Sequence, residues 1–358
     1  LVTVDITDNY DESRDELSYT WDIIVNNVNR PPVAEELTIT TDEDIINGYD
    51  HDWSNIKGSA EALCRPKNQF ECAVIINICY LLKVPMTFSA GRTNLTGSAT
   101  PNGGVIISIA DIKEIGTVNL NNKKINCSPG VYLEDLRNHV INESNNKLIF
   151  PVDPTSRKEA MLGGSISCNA SGFTPGEKGA MRYWIDGLEL ILPNGEVVSA
   201  ERGKYISKDS HFTINYSNGE ECNIKVPSYE RVNIKNASGP YSSSNGRMDF
   251  IDLIVGSEGI FGCITDATLR LQDRPSDYLN LFIKLRNEDE ALQLYSDFSD
   301  HFSGDMSNLS GFEYFGENCS SYMVHQEYLF DQDFRVGVYV QIPVYDEEID
   351  SVVERWYD

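Results

Sequence analysis

The chain has 358 residues, which fits two or three domains at roughly 100–200 residues each. Its formal net charge of -26 repels nucleic acid and anionic lipid, so no DNA or RNA partner is expected. No apolar run approaches the roughly 18–20 residues that a membrane span needs, and no basic segment followed by an apolar one opens the chain, so neither a transmembrane helix nor a secretory leader is expected.

Residues 1–40 alternate polar and apolar around VTVDIT and WDIIVNN, break at Pro31-Pro32 and read as an extension. From about Asp42 the texture changes. ECAVIINICYLLK (71–83) is an apolar helix-like segment that feeds VPMTF, a short buried strand. GGVIISIADI (103–112) and KKINCSPG read as further strands, and VYLEDLRNHVINES as an amphipathic helix. WIDGLELILPNGEVVSA predicts a hairpin turning at Asn194-Gly195. The polar interval 204–247 reads as an insertion or long loop. After Pro275, YLNLFIKL, EDEALQLYSDFSDHF, FRVGVYVQIPVY and EEIDSVVERWYD predict a second sheet-and-helix unit. The eight cysteines are scattered, with no CxxC and no partnering histidines, which favours reduced thiols in a cytosolic protein and no metal site. Asn-x-Ser/Thr triplets such as Asn94-Leu95-Thr96 arise by chance in an Asn-rich chain.

Two phosphate motifs are excluded. No GxGxxG follows a strand, and the nearest approach to a P-loop, Gly172 to Lys178, has the wrong spacing and no Ser or Thr after the lysine. Four small-residue segments remain: FSAGRTNLTGSATPNGG, FPVDPTSRKEAMLGGSISCNASGF, GLELILPNGEVV and IDLIVGSEGIFGCITDATLRL. Each alone is an ordinary turn. In this order they are a candidate cradle, because free backbone N–H groups of small residues form anion-binding concavities without a lysine. Thr93, Ser98, Thr155 and Ser167 add hydroxyls for phosphate oxygens, and Gly163-Gly164 would allow close backbone approach to a ligand.

The ordered set resembles the FAD-binding domain of the vanillyl-alcohol oxidase and p-cresol methylhydroxylase superfamily, and within it the D-lactate and glycolate dehydrogenase branch. The resemblance covers roughly residues 45–272. It implies an α+β fold: a two-subdomain FAD-binding domain of the p-cresol methylhydroxylase type over 41–273, then an incomplete α+β cap domain from 274 to 358. In that family an Arg-Gly-Gly-Gly-Thr loop binds the FAD pyrophosphate, and Ser89, Ala90, Gly91, Arg92, Thr93, Asn94, Thr96 and Ser98 stand in that place here. Asp153, Thr155, Gly163, Gly164, Ser167, Asn169, Ser171 and Gly172 match the contacts to flavin and ribityl chain, with Gly130 added from the preceding Pro-Gly turn. Glu258, Gly259 and Ile264 match the adenine end, and Lys235-Asn236-Ala237-Ser238-Gly239 resembles the stretch preceding it. Two positions depart from the pattern, since Arg92 and Asn94 stand where the family uses glycine. Arg92 either adds a cation beside the diphosphate or points to solvent. No histidine sits where some members attach the flavin, so non-covalent FAD is expected.

The resemblance further implies oxidation of a small 2-hydroxy acid, which needs removal of the hydroxyl proton, hydride transfer to the flavin and a cation for the carboxylate. Arg182 is the candidate for that cation, with a structural salt bridge as the alternative. Electrons would pass to a quinone, cytochrome or iron-sulfur partner, from a protein in the cytoplasm or peripheral to the inner face of the membrane, as a homo-oligomer or a subunit of a complex. The branch carries a His-x-x-Gly-Asp-Gly-Asn-x-His stretch late in its cap, and nothing like it occurs here. This keeps open a second reading, a flavin-carrying electron-transfer subunit with substrate chemistry elsewhere. A third, a synthase acting on a glycerone-phosphate ester, would call for a basic cap, whereas this one is acidic. Phe312-Glu313-Tyr314-Phe315 and Tyr322-Met323-Val324 resemble a cap strand and helix of the dehydrogenase branch.

Overall fold

The computed structural model describes residues 2–7, 20–25, 38–215, 221–230, 235, 238–239, 242–324, 329–330 and 333–357. At the start, β1 (Val2–Thr7) and β2 (Thr20–Val25) pair antiparallel.

A four-stranded sheet follows, built from β3 (Ile39–Thr40), β4 (Ala62–Cys64), β5 (Met86–Ser89) and β6 (Val105–Ser108), with α1 (Glu43–Asn47) and α2 (Gln69–Leu82) beside it. The order is β3-β4-β6-β5, with β4, β6 and β5 parallel. Parallel neighbours need a crossover, and α2 supplies the one from β4 to β5. Its start is set by a reciprocal cap: Asn68 Oδ1 accepts the Glu71 N–H at 2.9 Å, while the Glu71 carboxylate reaches back to the Lys67 N–H at 2.8 Å. Lys83, in the left-handed region at φ 58°, ends it. Cys72, Ile75, Ile76 and Cys79 recur at helical spacing and form the buried stripe against Ile107 and Ile109.

A second, antiparallel sheet of order β10-β9-β13-β7 is formed by β7 (Lys124–Cys127), β9 (Ile185–Ile191), β10 (Val197–Glu201) and β13 (Cys263–Arg270). Packed on it are α3 (Leu133–Glu143), α4 (Leu162–Ser167), α5 (Met181–Trp184) and α6 (Phe250–Ile254), while β8 (Leu148–Ile149) pairs with β14 (Gln272–Asp273). The largest hydrophobic cluster lies here, around Phe150, Leu162, Met181 and Phe250. The interval 204–247 is more than a loop. It contains the hairpin β11 (His211–Asn215) and β12 (Glu221–Lys225), whose Phe212 and Ile214 are buried, with Phe212 edge-on to Phe250 at 5.7 Å.

The third sheet, β15-β17-β16, comprises β15 (Asp277–Leu285), β16 (Gly311–Phe315) and β17 (Val336–Val344). Two helices, α7 (Glu288–His301) and α8 (Ile349–Tyr357), share its core, where Phe298 stacks on Trp356 at 5.5 Å. In β17, alternate residues Val338, Val340 and Ile342 enter this core, and strand periodicity sends Tyr339 and Gln341 to the opposite face. There Tyr339 and Gln341 both donate to Asn280 Oδ1, at 2.7 and 2.9 Å. Residues 317–322 after β16 form a 3-10 stretch, and Met323 beyond it is extended rather than helical.

Within the second sheet, Asp266 sits directly opposite Glu189, a like-charge pair that disfavours ionisation. Burial, then Glu189 and Glu114, push the Asp266 carboxyl up to about 6 against a weaker hydrogen bond from Asn126. A raised acid contributes most when protonated, and that contribution is lost as pH rises through its folded pKa. Asp266→Asn should therefore gain about 1–2 kcal/mol on wild type as pH goes from about 4 to 7. Urea unfolding at the two pH values reads it; an equal difference at both would contradict the shift.

Candidate cofactor site

The strand β5 delivers the loop 89–104, and its first residues form one wall of a cleft enclosing about 890 Å³ of open space with its mouth. Ser89, Ala90, Gly91, Arg92, Thr93, Asn94 and Ser98 all line it. The facing wall is Ser156, Ala160, Met161 and the short helix α4, which contributes Gly163, Gly164 and Ser167. The third wall is the turn before β13, with Glu258, Gly259 and Ile264. Two backbone hydrogen bonds tie this turn to α4: Gly256 N to Ile166 O at 3.1 Å and Glu258 N to Ser167 O at 2.8 Å. Thr96 lies off the wall, but its hydroxyl donates to Glu258 Oε1 at 3.2 Å and so links the first wall to the third.

Close approach explains the small residues. A Cβ on Gly91 would stand 2.2 Å from Glu159 O, so only glycine lets the loop lie against the segment that carries Ala160. Asn94 orders the next turn, because its Oδ1 accepts from Thr96 N at 3.0 Å and Ser98 N at 3.4 Å. Arg92 does adopt the left-handed region, at φ 54°. Its guanidinium turns neither to open solvent nor into free space: Nη1 donates to Gly48 O, and its carbon lies 4.4 Å from the Tyr49 ring centroid.

Other candidates stand outside the cleft. Gly130 supports it from below, where a Cβ would meet Ile109 O at 2.4 Å. Thr155 is exposed in a turn. Asp153 lies behind Gly172, whose added Cβ would be 2.2 Å from its Oδ1. Burial raises its pKa, opposed by Arg137, the Phe173 N–H, Arg157 and Lys235. Ser171 bridges to Ala180, and Asn169 backs α4, its Oδ1 accepting from Arg182 N at 2.9 Å. Lys235 donates to Gly172 O at 2.5 Å and Thr174 O at 2.8 Å. Of the stretch around it, Asn236 and Ala237 lie outside the described residues.

Of the two roles open to Arg182, its surroundings supply the salt bridge. It is not in the cleft. Its buried guanidinium donates to Asp252 O at 2.8 Å, Ser238 O at 3.2 Å and Val255 O at 2.6 Å, and pairs with Asp252 Oδ1 at 3.4 Å. Burial lowers its pKa, with Asp252 opposing that. A cation so occupied holds α6 to α5 and has no donor to offer a substrate. Reasoning from sequence also missed wall residues Phe88, Ile109, Ser165, Cys168, Gly262 and Cys263. Cys168, beside the read Asn169, and Cys263, inside the read Gly-rich turn, were within reach of that reading; Ile109 was not.

Among the described residues, three buried side-chain polar atoms have no hydrogen-bond partner: Ser89 Oγ, Arg92 Nε and Asn169 Nδ2. Unpaired buried groups cost about 1–3 kcal/mol each. Ser89 and Asn169 belong to segments that form or back this one cleft, where a ligand rich in acceptors such as the diphosphate and ribityl chain of FAD would meet them, whereas the Arg92 guanidinium packs on Tyr49.

Two substitutions separate scaffold from site. Arg182→Leu should lower unfolding free energy by about 2–4 kcal/mol, measured in denaturant, with flavin uptake intact well below the transition; unchanged stability with lost turnover would return it to the chemistry. Gly91→Val should weaken flavin uptake at least about tenfold, or about 1.4 kcal/mol, in a fluorescence titration; an unaltered affinity would refute the close-approach argument.

Residues 60–201 match the family described as FAD binding domain. A D-2-hydroxyglutarate dehydrogenase of Stutzerimonas stutzeri is 26% identical, over 80% of this chain and 53% of that protein. A D-lactate dehydrogenase of Anaerostipes hadrus is 28% identical, over 75% and 48%. Glycolate oxidase subunit GlcD of Bacillus subtilis is 28% identical, over 66% and 42%. The chain thus spans about half the length of these curated relatives. Among solved structures, an alkyldihydroxyacetonephosphate synthase superposes with a TM-score of 0.64 at 13% identity, over 89% of this chain and 56% of that one, a likeness of fold. The domain match, the named relatives and the fold agree that residues 60–201 are an FAD-binding domain and that the chain resembles FAD-linked oxidases and dehydrogenases.

Proposed function

We propose that the protein dehydrogenates a D-2-hydroxy acid of the lactate or glycolate type, with FAD as the immediate acceptor. The observation that carries this reading is the convergence of loop 89–98, α4 and turn 256–264 on one cleft with unpartnered donors around it, in a chain similar to enzymes named for such substrates. Residues 41–273 act as the FAD-binding unit and residues 274–358 belong to the cap. Loop 89–98 holds the diphosphate through backbone N–H groups and hydroxyls, Gly163, Gly164 and Ser167 meet the ribityl and ring portions, and Glu258 to Ile264 flank the adenine end. When bound, FAD supplies a two-electron acceptor.

Retention of the cofactor is non-covalent. The thiols in the cleft wall are poor nucleophiles: burial and Glu258 raise the pKa of Cys168, and the hydrogen bond from Cys72 and burial raise that of Cys263. A quinone, cytochrome or iron-sulfur protein takes the electrons onward, from a cytoplasmic enzyme that works as a homo-oligomer or within a complex. Among the described residues no helix is long and apolar enough to cross a membrane.

The test is anaerobic bleaching. A yellow protein should lose its flavin absorbance on addition of D-lactate, glycolate or D-2-hydroxyglutarate, and acid precipitation should release the flavin into the supernatant. Flavin reduced only by a partner protein would replace this reading with an electron-transfer subunit, and colour retained in the pellet would overturn non-covalent binding.

A further inference from the structure

The segment 48–59 runs along the outside of loop 89–104 and is fastened to it at point after point. Arg92 Nη1 donates to Gly48 O, and the guanidinium covers the Tyr49 ring at 4.4 Å. Trp53 N donates to Arg92 O at 3.2 Å. The Asp52 carboxylate, only 2% exposed, accepts from Ala99 N at 3.3 Å and from the side chain of Asn94. Thr100 Oγ1 donates to Ile56 O at 3.2 Å, and Ser59 exchanges backbone bonds with Pro101 and Gly103 at 3.1 and 2.7 Å. Tyr49 is itself held on a second side, with Arg65 5.7 Å from its ring centroid and donating to its hydroxyl at 3.5 Å. Arg92 thus spends its side chain on this outer segment, and Asn94 divides its own between the turn it caps and Asp52.

We propose that residues 48–59 are a strap that clamps the cofactor loop from outside, and that Arg92 and Asn94 are positioning residues that act on FAD through this strap rather than by contact with it. The inference rests on the cleft being the FAD site. A loop that binds anions by backbone N–H groups works only if those groups are fixed before the ligand arrives. Arg92 holds a left-handed backbone, and Asn94 caps the following turn; the strap over-determines both. Asp52 makes the two explanations separable. A buried carboxylate near a diphosphate repels it, so on electrostatics alone neutralising Asp52 tightens FAD, whereas cutting the strap loosens it.

The experiment measures FAD dissociation from the holoprotein by recovery of free-flavin fluorescence. The variants are Arg92→Gly, which suits the positive φ, Tyr49→Leu, the double variant, Tyr49→Phe and Asp52→Asn. Loss of the stacked cation and its hydrogen bond should speed release about tenfold in Arg92→Gly and in Tyr49→Leu. The double variant should be no faster than either single one, and Tyr49→Phe, which keeps the ring, should stay near wild type. Asp52→Asn should also speed release, and none of these effects should shrink between about 50 and 500 mM salt, because no direct ion pair with the diphosphate is involved. Slower release in Asp52→Asn, an Arg92→Gly effect that fades in high salt, or release unchanged in Arg92→Gly would each overturn the proposal. A wild-type protein that takes up no FAD would instead remove the cofactor reading beneath it.

Discussion

A single methyl group at position 163 would break the site: a Cβ there would lie 2.6 Å from Pro129 Cβ and 2.8 Å from Ile109 Cδ1. Because Gly163 has none, α4 can press into the seam between the parallel and the antiparallel sheet. Ile109 continues β6, while Pro129 follows β7. Everything in the cleft follows from that contact. Gly164 then faces Ala90 of the first loop, where a Cβ would come within 3.0 Å, and the end of α4 accepts the backbone of the 256–258 turn. Three segments distant in sequence become three walls about one space.

This arrangement explains how a chain of net charge -26 accommodates an anionic diphosphate. Long-range electrostatics oppose it, so binding must come from short-range donors held in place, whose value falls steeply if they move. Order is therefore the currency of the site. Asn94, Arg92 and Asp52 order the loop, and Asp52 stays ionised while doing so: burial pushes its carboxyl up, but hydrogen bonds from Ser54, Ala99 and Asn94 outweigh that and hold it below its usual value. The same separation of roles holds at Arg182, whose charge serves four backbone and carboxylate acceptors of the scaffold.

How much was legible in advance depended on the range of the interaction involved. Long periodic elements were: the 71–83 helix appears as Gln69–Leu82, and the 185–201 hairpin turns at Asn194-Gly195, with Gly195 at φ 85°. The β11–β12 hairpin was not, because its five-residue strands alternate weakly within a polar stretch and only Phe250, far along the chain, gives Phe212 something to pack on. The ordered small-residue segments pointed to the cleft, since glycine and serine runs report on local backbone. Arg182 left two roles open because a cation's role depends on its partners, and Asp252, Ser238 and Val255 are dozens of residues away.

By itself, the sequence determined that the chain carries loops able to bind a phosphate without a P-loop lysine, that its composition is acidic, and which of the long periodic segments are helix or strand, because those properties reside in composition, local turn chemistry and periodicity. Only the tertiary structure decided which of these residues share a wall, that Arg182 and Asp153 lie outside the cleft, and that the Arg92 guanidinium packs on Tyr49. The reason is physical. The direction of a side chain is set by the nearest available acceptor or ring, and for these residues that partner comes from another segment of the folded chain.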